Sequence, residues 1–377
     1  LDDQYKENFV RILQELNEGC FGQDLITILF IFRYLERIGD SLLNVGEALI
    51  FSILGERIKI EQFDALQRTL VKSGFGESLS DVDFSSIWGS RSGCRIGRVD
   101  RRPDKNRAAG EAHGGIYKEG VLDKIRQEKD NIEYWRTLFP GLVAEIYGYH
   151  EEEDKGAMLV EFLPGCTLDE VVLGMDLEFL ANAMFVFRQT VREVWSSTLK
   201  REPIQSSFMP QLTSRLESVH QVHPGFRTGI KAIGLARTIP TDELIERCKE
   251  LEQDLVSPFS VFTHGDFNSN NVVYNHETQQ VQLIDLYRSK QADYVQDVSV
   301  FLVSNFRIPV KQHDLRARLN AVIENFLEFS NEFAQENGDV AFDARLAFGL
   351  ARSFFTSTRF ELNHSFAREM FMRAEYI

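Results

Sequence analysis

Hydrophobic positions in the first part of the chain recur at helical spacing. In residues 3–18 the apolar side chains follow an i, i+3, i+4 pattern, which Asn17-Glu18-Gly19 is suited to end. The same spacing resumes at Phe21 and predicts a second, long helix of roughly 36 residues. An antiparallel pair of this size has too small a core to stand alone. We therefore expect a third helix, a partner chain or the following domain to cover it.

Beyond Gly74 the chain loses its helical period and becomes rich in glycine and serine. Short apolar segments there predict strands, and residues 124–138 predict a single helix among them. After Thr167 the chain is expected to be largely helical, apart from one hairpin. The predicted strands are residues 94–99, 115–118, 142–149, 157–163, 272–274 and 281–285.

This order of elements predicts an α+β protein with three parts. A helical hairpin occupies residues 1–72, and a small mixed sheet with one helix occupies residues 73–165. A larger, α-rich lobe occupies residues 166–377.

Composition and charge exclude several classes of function. With 42 Lys and Arg against 57 Asp and Glu, the net charge is −15, so no nucleic acid partner is expected. The longest apolar run, residues 25–32, is far shorter than the roughly 20 residues of a membrane helix, so no membrane span is expected. Four cysteines without a CxxC pair, and no signal peptide at the start, predict a cytoplasmic protein with reduced thiols.

One stretch, residues 261–297, has the residue types of phosphoryl transfer. It contains, in order, His264-Gly265-Asp266, Asn271, Ile284-Asp285, Asp293 and Asp297. Phosphoryl transfer needs a carboxylate near the attacking hydroxyl, oxygen ligands for Mg²⁺ and positive charge on the nucleotide phosphates. An aspartate and an asparagine on one loop, with an aspartate from the next strand, can supply the carboxylate and two metal ligands.

This pattern resembles the aminoglycoside phosphotransferase and choline kinase superfamily, which has a protein-kinase-like bilobal fold. The family's H-G-D-x-x-x-x-N loop corresponds to residues 264–271, its I-D to residues 284–285, and its G-D-x-x-x-D to residues 292–297, where Ala292 replaces the glycine. The resemblance covers roughly residues 75–377. It implies Asp266 as the catalytic base, Asn271 and Asp285 as magnesium ligands, and Asp297 as an anchor of the loop. It also implies ATP, or another nucleoside triphosphate, as the donor.

The smaller lobe of such a protein should supply a lysine for the nucleotide phosphates. Lys118 ends a predicted strand, and Glu128 lies on the helix face shared by Ile125 and Ile132. An inward-pointing charge needs a partner, and Lys118 is the nearest suitable one. Lys118 could instead be a loop lysine, since Lys105 also precedes the helix.

Two further segments are candidates for nucleotide contacts. Residues 157–163, followed by Pro164-Gly165, resemble the family's hinge, where the backbone of Glu161 and Leu163 would meet adenine. The same pattern also fits a buried strand that ends in a turn. Residues 89–93, Gly-Ser-Arg-Ser-Gly, could cradle phosphates through backbone N–H groups or form only a turn.

The acceptor is expected to be a small molecule rather than a protein. Asn268 stands where Ser/Thr protein kinases usually have lysine, and Asp285 lies only 12 positions before Asp297, too few for a long activation segment. We therefore expect a hydroxyl of a small polar metabolite. Residues 352–376 mix aromatic, acidic and basic side chains. This mixture leaves an anionic acceptor open, but we favour a neutral or weakly charged one over an aminoglycoside or choline-type cation.

The N-terminal helices have a second resemblance, to the last helix of PhoU, a regulator of phosphate transport. That family's acidic E-x-x-x-D motif corresponds to Glu36 and Asp40. Such pairs bind metal in PhoU-like proteins, although here a solvated charged face beside Arg33 and Arg37 is favoured. The resemblance implies a dimerising or regulatory module, with a homodimer or a protein partner bound through these helices. It also implies an alternative function, a PhoU-linked regulatory adaptor or pseudokinase that responds to phosphate or nucleotide.

Overall fold

The computed structural model describes residues 2–17, 19, 21–54, 60–73, 82–87, 94–101, 114–228, 232–233, 236–237 and 239–377. Helices and strands are numbered in chain order within these residues. The helices are α1 Asp2–Asn17, α2 Gly22–Leu54, α3 Ile60–Ser73, α4 Leu122–Leu138, α5 Leu168–Gly174, α6 Leu177–Thr198, α7 Phe208–Thr213, α8 Leu216–Val222, α9 Thr241–Glu252, α10 Val295–Phe306, α11 His313–Glu336, α12 Phe342–Ser357 and α13 His364–Tyr376. The strands are β1 Val82–Ile87, β2 Arg95–Arg101, β3 Gly115–Val121, β4 Ile146–Glu152, β5 Lys155–Glu161, β6 Cys166–Thr167, β7 Ile204–Gln205, β8 Ala232–Ile233, β9 Ala236–Arg237, β10 Val256–Ser257, β11 Val261–Thr263, β12 Val272–Asn275, β13 Gln280–Leu283 and β14 Lys290–Ala292.

The packing divides the chain into two units. The smaller unit contains Leu1–Arg126 and Glu145–Phe162, and the larger unit contains Gln127–Ala144 and Leu163–Ile377. The largest sheet lies in the smaller unit, helices α5 to α13 lie in the larger unit, and α4 crosses the boundary. The predicted α+β class is confirmed, whereas the division at residues 72 and 165 stays a prediction.

The smaller unit is built on an antiparallel sheet with the strand order β1-β2-β3-β5-β4. One face of the sheet packs on α3, where Leu66 and Leu70 join Tyr117 and Leu159 in a single hydrophobic core. The sequence pattern did not separate α3 from the helix before it. Leu66 and Leu70 are nevertheless four positions apart, the spacing that places two side chains on one face of a helix.

Helices α1 and α2 form the expected antiparallel pair, and α2 has 33 residues. The Arg33 guanidinium lies 5.8 Å from the centre of the Tyr5 ring, which places the middle of α2 beside the start of α1. Arg33 also pairs with Glu36 at 2.6 Å, so this acidic side chain has a basic neighbour on its own helix. None of the helices in the described ranges is long and apolar enough to cross a membrane.

Much of α2 is apolar and exposed. Seven apolar residues at alternating spacings of three and four positions are each at least two-fifths exposed. They are Ile28, Ile31, Leu35, Ile38, Leu42, Val45 and Leu49. This spacing forms a continuous stripe along one side of a helix.

An aromatic cluster fills the larger unit between α6, α10 and α11. The Phe187 ring stacks on those of Phe267 and Phe301, with centroid distances of 5.6 and 5.0 Å. Phe267 is almost completely buried and follows Asp266 directly in the chain. Burial of its ring therefore ties the backbone at Asp266 to the core of the unit.

The predicted hairpin of the larger unit is found as β12 and β13, with Val272 opposite Leu283. The predicted strand 142–149 begins later, at Ile146. Pro140 and Gly141 form a turn, with Gly141 at φ 87°, and the residues after it make only an isolated bridge between Val143 and Leu283. A proline and a left-handed glycine both favour a turn over a ladder.

Candidate active site

The loop after β11 is fixed from one side by a buried histidine. His264 is 1% exposed, and its Nε2 lies 2.9 Å from the Ile284 carbonyl oxygen, to which it donates. Its Nδ1 accepts a hydrogen bond from the Asp266 N–H at 3.3 Å. Burial lowers the pKa of His264, which favours the neutral ring that this pattern requires.

Asp297 fixes the same loop from the other side. Its two carboxylate oxygens accept hydrogen bonds from the His264 N–H at 2.7 Å and the Gly265 N–H at 2.8 Å. Asp297 lies in the first turn of α10 and is 2% exposed. Burial raises its pKa to about 7, against the effect of the two N–H groups.

Gly265 is required by its conformation and by its close contact with a neighbouring turn. Its φ is +82°, and a Cβ at this position would lie 2.4 Å from the carbonyl oxygen of Arg288. Any other residue would be strained in the backbone and would also push the Arg288 segment away. The glycine of the H-G-D motif therefore brings the loop and the turn after β13 together.

Asp266 itself is held but accessible. Asn268 Nδ2 donates to Asp266 Oδ1 at 2.9 Å, and Asn271 Nδ2 donates to the Asp266 carbonyl oxygen, also at 2.9 Å. Asp266 Oδ2 lies 3.2 Å from Arg288 Nη1. The Asp266 side chain is 26% exposed, although the residues around it are buried.

Asn271 and Asp285 lie at the two ends of the β12–β13 hairpin, which brings them side by side. The Ile284 N–H donates to the Asn271 carbonyl oxygen at 3.1 Å, and Asp285 follows at φ 66°, a left-handed conformation that is uncommon for aspartate. Asn271 uses its Nδ2 for the loop, which leaves its Oδ1 as an available ligand atom. A carboxylate and an amide oxygen are suitable ligands for Mg²⁺, with phosphate oxygens and water for the remaining positions. No group of three or more His, Cys, Asp or Glu suited to a metal occurs within the described residues.

Of the residues expected to bind the nucleotide, Lys118 and Glu161 belong to the smaller unit, and Glu128 and Leu163 belong to the larger one. Lys118 is in the central strand β3 and is 8% exposed, and Glu128 in α4 is 2% exposed, as its inward-facing position predicted. Glu161 ends β5, and its N–H donates to the Glu145 carbonyl oxygen at 2.7 Å. Leu163 follows and is buried. The ion pair and the adenine contacts stay predictions, and the glycine-rich segment 89–93 lies outside the described residues.

Sequence reasoning missed the arginines around Asp266. No motif in the sequence indicates a role for Arg288 or Arg215. Arg352 and Arg359 were noted only as basic members of the C-terminal stretch. No local spacing relates these positions, so only the folded chain brings them to the loop.

Comparisons with known proteins identify the fold. A model of the ecdysteroid kinase-like family matches residues 180–332. The chain is similar to an ethanolamine kinase from Plasmodium vivax, with 12% identity over 85% of this chain and 89% of that one, at a TM-score of 0.51. It is also similar to an aminoglycoside phosphotransferase from Streptomyces rimosus, with 16% identity over 76% and 96% of the two chains, at a TM-score of 0.47. No curated protein matches the sequence.

The likeness to the ethanolamine kinase identifies the fold, which is the kinase-like α+β fold that the motifs predicted. The match to PhoU in the N-terminal helices stays a prediction.

Proposed function

We propose that this protein is a cytoplasmic phosphotransferase that moves the terminal phosphoryl group of ATP, or of another nucleoside triphosphate, to a hydroxyl of a small polar metabolite. Asp266 acts as the general base. Asn271 and Asp285 hold Mg²⁺, which neutralises charge on the phosphates when it is bound.

The smaller unit and the segment after it bind the nucleotide in this proposal. Lys118, tied to Glu128, binds the phosphates, and the backbone of Glu161 and Leu163 contacts the adenine. Because the Glu161 N–H is already used by Glu145, the Glu161 carbonyl oxygen and the Leu163 N–H are the groups that remain for the base.

One observation supports the proposal above all others: the loop immobilises Asp266 and leaves its carboxylate accessible. Asp297 fixes the two residues before it, and the buried Phe267 fixes the residue after it. A general base must be held in place and must still reach the proton that it takes. A loop that served only as a turn would not need anchors on both sides of one partly exposed carboxylate.

The bond changes follow from this placement. Asp266 orients the acceptor hydroxyl and takes its proton as the hydroxyl oxygen bonds to the γ-phosphorus. The bond from that phosphorus to the β–γ bridging oxygen breaks, and the nucleoside diphosphate leaves. Asn268 donates to Asp266 Oδ1 and Arg288 pairs with Oδ2, so both contacts fix the orientation of the carboxylate.

Substitution of the base tests the chemistry. Asp266→Asn should lower kcat by about 10²–10⁴-fold, because it removes the proton acceptor and keeps the size of the side chain. The measurement is transfer of labelled γ-phosphate from ATP to a panel of hydroxylated metabolites. Asp314→Asn is the matched control, since Asp314 is fully exposed at the start of α11, and its turnover should equal that of the wild type. Equal turnover in Asp266→Asn would refute the assignment.

Binding tests the metal ligands independently of the acceptor. Mg²⁺ and ATP at 100 times Kd should stabilise the protein by about 2.7 kcal/mol, measured by thermal unfolding. Asp285→Ala should remove most of the part that depends on Mg²⁺. No stabilisation of the wild type by the nucleotide would favour a pseudokinase.

A second candidate function is supported by α2. Its exposed apolar stripe is the kind of surface that binds a protein partner or a second copy of the chain. In this candidate the N-terminal helices form a PhoU-linked regulatory adaptor and the kinase-like part reports nucleotide or phosphate status. Leu35→Glu together with Leu42→Glu should abolish binding of that partner or copy, measured by light scattering and pull-down, without a change in turnover. Unchanged assembly would argue against the adaptor.

A further inference from the structure

Four arginines surround Asp266, and they come from separate parts of the larger unit. Arg288 lies in the turn after β13, Arg215 precedes α8, Arg352 is in α12 and Arg359 follows that helix. Arg288 pairs directly with Asp266 at 3.2 Å. The Asp266 charge also acts on each of the other three.

The carboxylates near Asp266 do not balance these four charges. Within the described residues, no carboxylate lies at ion-pair distance from Arg215, Arg352 or Arg359. The charges of Asp297 and Glu252 act on Arg352, and that of Asp285 acts on Arg288, but neither Asp297 nor Glu252 lies at ion-pair distance from Arg352. Three of the four arginines beside the proposed base therefore lack a carboxylate partner among the described residues.

Arg352 is the buried member of the cluster and is connected to the catalytic loop. It is 6% exposed, and its Nη2 donates to Gln296 Oε1 at 3.0 Å and to Ser299 Oγ at 3.2 Å. Gln296 Nε2 donates in turn to the Gly265 carbonyl oxygen at 3.4 Å. The Nε of Arg352 is buried and has no hydrogen-bond partner. A buried donor without a partner is costly, and an incoming acceptor group would relieve that cost.

Mutual repulsion adds to the cost of holding these arginines together. Burial and the charge of Arg215 lower the pKa of Arg352 to about 9 and that of Arg359 to about 10, so both stay cationic at neutral pH. Like charges held together in a partly buried site are unfavourable unless an anion balances them. The planar guanidinium fork is suited to carboxylate and phosphate oxygens.

We propose that the acceptor metabolite carries an anionic group, a carboxylate or a phosphate or sulfate ester, in addition to the hydroxyl that is phosphorylated. Arg215, Arg352 and Arg359 bind this group beside Asp266. The inference rests on the proposed function, because it assigns the anion to the acceptor. It replaces the neutral or weakly charged acceptor that the sequence favoured.

The acidic residues of the C-terminal stretch do not offset this charge. Glu369 pairs with Arg373 on the surface of α13 at 2.8 Å, and Glu375 accepts a hydrogen bond from Thr241 at 2.6 Å. Glu361 accepts the N–H of Asn363 at 2.8 Å, so all three acids have partners other than Arg352 and Arg359. The basic residues of the same stretch, Arg352 and Arg359, are the ones that face the loop.

Nucleotide phosphates are the other source of negative charge near this site. In the proposed reaction they lie beside the metal ligands Asn271 and Asp285, whereas the acceptor hydroxyl lies beside Asp266. Asp266 is the carboxylate whose charge acts on all three of Arg215, Arg352 and Arg359. This placement favours the acceptor as the source.

Sulfate tests the site without turnover. Sulfate should stabilise the wild type with a saturable dependence in thermal unfolding, relative to chloride at equal ionic strength. Arg215→Gln and Arg359→Gln, at two half-exposed positions, should each weaken sulfate binding on the order of tenfold or more. Arg247→Gln is the matched control, since Arg247 is exposed and pairs with Glu243 on α9, and its sulfate binding should be unchanged. Equal stabilisation in all variants, or none in the wild type, would overturn the proposal.

Turnover distinguishes the acceptor from the nucleotide. Arg215→Gln should raise the acceptor KM on the order of ten- to a hundredfold and leave the ATP KM unchanged. A rise in the ATP KM alone would assign the arginines to the nucleotide and overturn this inference, while the proposed function would stand. The charge of the acceptor can be varied in two sets of compounds: glucuronate, glucose and glucosamine, and glycerate, glycerol and 3-amino-1,2-propanediol. In each set the anionic compound should have a kcat/KM at least tenfold higher than that of the neutral and the cationic compound. Preference for a neutral or cationic member would likewise overturn it.

Asp266→Asn separates the two proposals. It should lower kcat by about 10²–10⁴-fold, which tests the base, and it should tighten sulfate binding, because it removes the carboxylate that pairs with Arg288 and acts on the other three arginines. Loss of sulfate binding in this variant would contradict the anion site and leave the assignment of the base intact.

Discussion

Two arginines on α12, seven positions apart, are almost equally buried but have opposite surroundings. Arg345 is fully buried and pairs with Asp293 at 2.8 Å and with Asp339 at 2.6 Å. Arg352 is 6% exposed, and its acceptors are neutral, among them Gln296 at 3.0 Å.

The difference distinguishes the two ends of the packed helices α10 and α12. At the Arg345 end the buried charge is paired within the protein, and we call this the structural end. At the Arg352 end the buried charge has no carboxylate partner among the described residues, and we call this the ligand end. Burial by itself lowers the pKa of Arg345, but hydrogen bonds to Asp339 and the charge of Asp293 raise this pKa above its usual value. Burial and the charge of Arg215 lower the pKa of Arg352 instead. A buried cation with two carboxylates is satisfied by the fold, whereas one without any is satisfied only by a bound anion.

The largest expected effect is at the structural end. Arg345→Met should reduce the free energy of unfolding by about 3–5 kcal/mol, because it leaves two buried carboxylates without their partner. Urea unfolding measures the change. Arg247→Met, which breaks only an exposed pair on α9, should cost less than about 1 kcal/mol. A cost for Arg345→Met as small as that of the control would remove the basis of the comparison.

Substitution of two glycines with a left-handed backbone conformation should give the next largest effect on the free energy of unfolding. Gly265 lies at the ligand end and Gly338 at the structural end. Gly265 at φ +82° faces the Arg288 backbone, whereas Gly338 at φ +71° has open space around a Cβ. Gly338→Ala should cost about 1–2 kcal/mol for the backbone alone. Gly265→Ala should cost about 2–3 kcal/mol and should also lower phosphate transfer, because it displaces the turn that carries Arg288. Equal costs and equal turnover in the two variants would show that the close contact is unimportant.

Asp297 should make the free energy of unfolding depend on pH. Its pKa is about 7 in the folded protein against 3.8 ordinarily. Between these values the folded state holds a proton that the unfolded chain has lost, so the contribution of Asp297 to stability falls as the pH rises. Urea unfolding measures the free energy of unfolding of the wild type and of Asp297→Asn. The value for the wild type minus the value for the variant should decrease between about pH 4 and about pH 7. A difference that increases over this range would contradict the raised pKa.

The smallest effect on stability is expected for Arg352→Met. It removes a buried cation that has no carboxylate, so the free energy of unfolding should stay within about 1 kcal/mol of that of the wild type or increase. Acceptor binding should nevertheless weaken. A loss as large as that of Arg345→Met would show that Arg352 is a structural residue.

Most of the candidate active-site loop could be predicted because its residues are close together in the sequence. His264, Asp266 and Asn271 stand on one short loop, and a hairpin of fixed length brings Asp285 back to it. Residue spacing alone therefore placed these groups near one another. The helix α3 was missed for the opposite reason: its amphipathic pattern merges with that of α2, and only packing on the sheet distinguishes it.

The sequence by itself determined the helical and strand periods, the α+β class and the loop of residues 264–271, since each depends on hydrogen bonds and side-chain spacing within a few residues. Only the tertiary structure decided which arginine is neutralised and which is not. Arg345 and Arg352 stand two helical turns apart on the same helix. Arg345 pairs with the nearby Asp339 and also with Asp293, which lies 52 positions away in the chain, whereas Arg352 has no carboxylate partner among the described residues. Charge balance in a buried site depends on distance through space, which local spacing does not record.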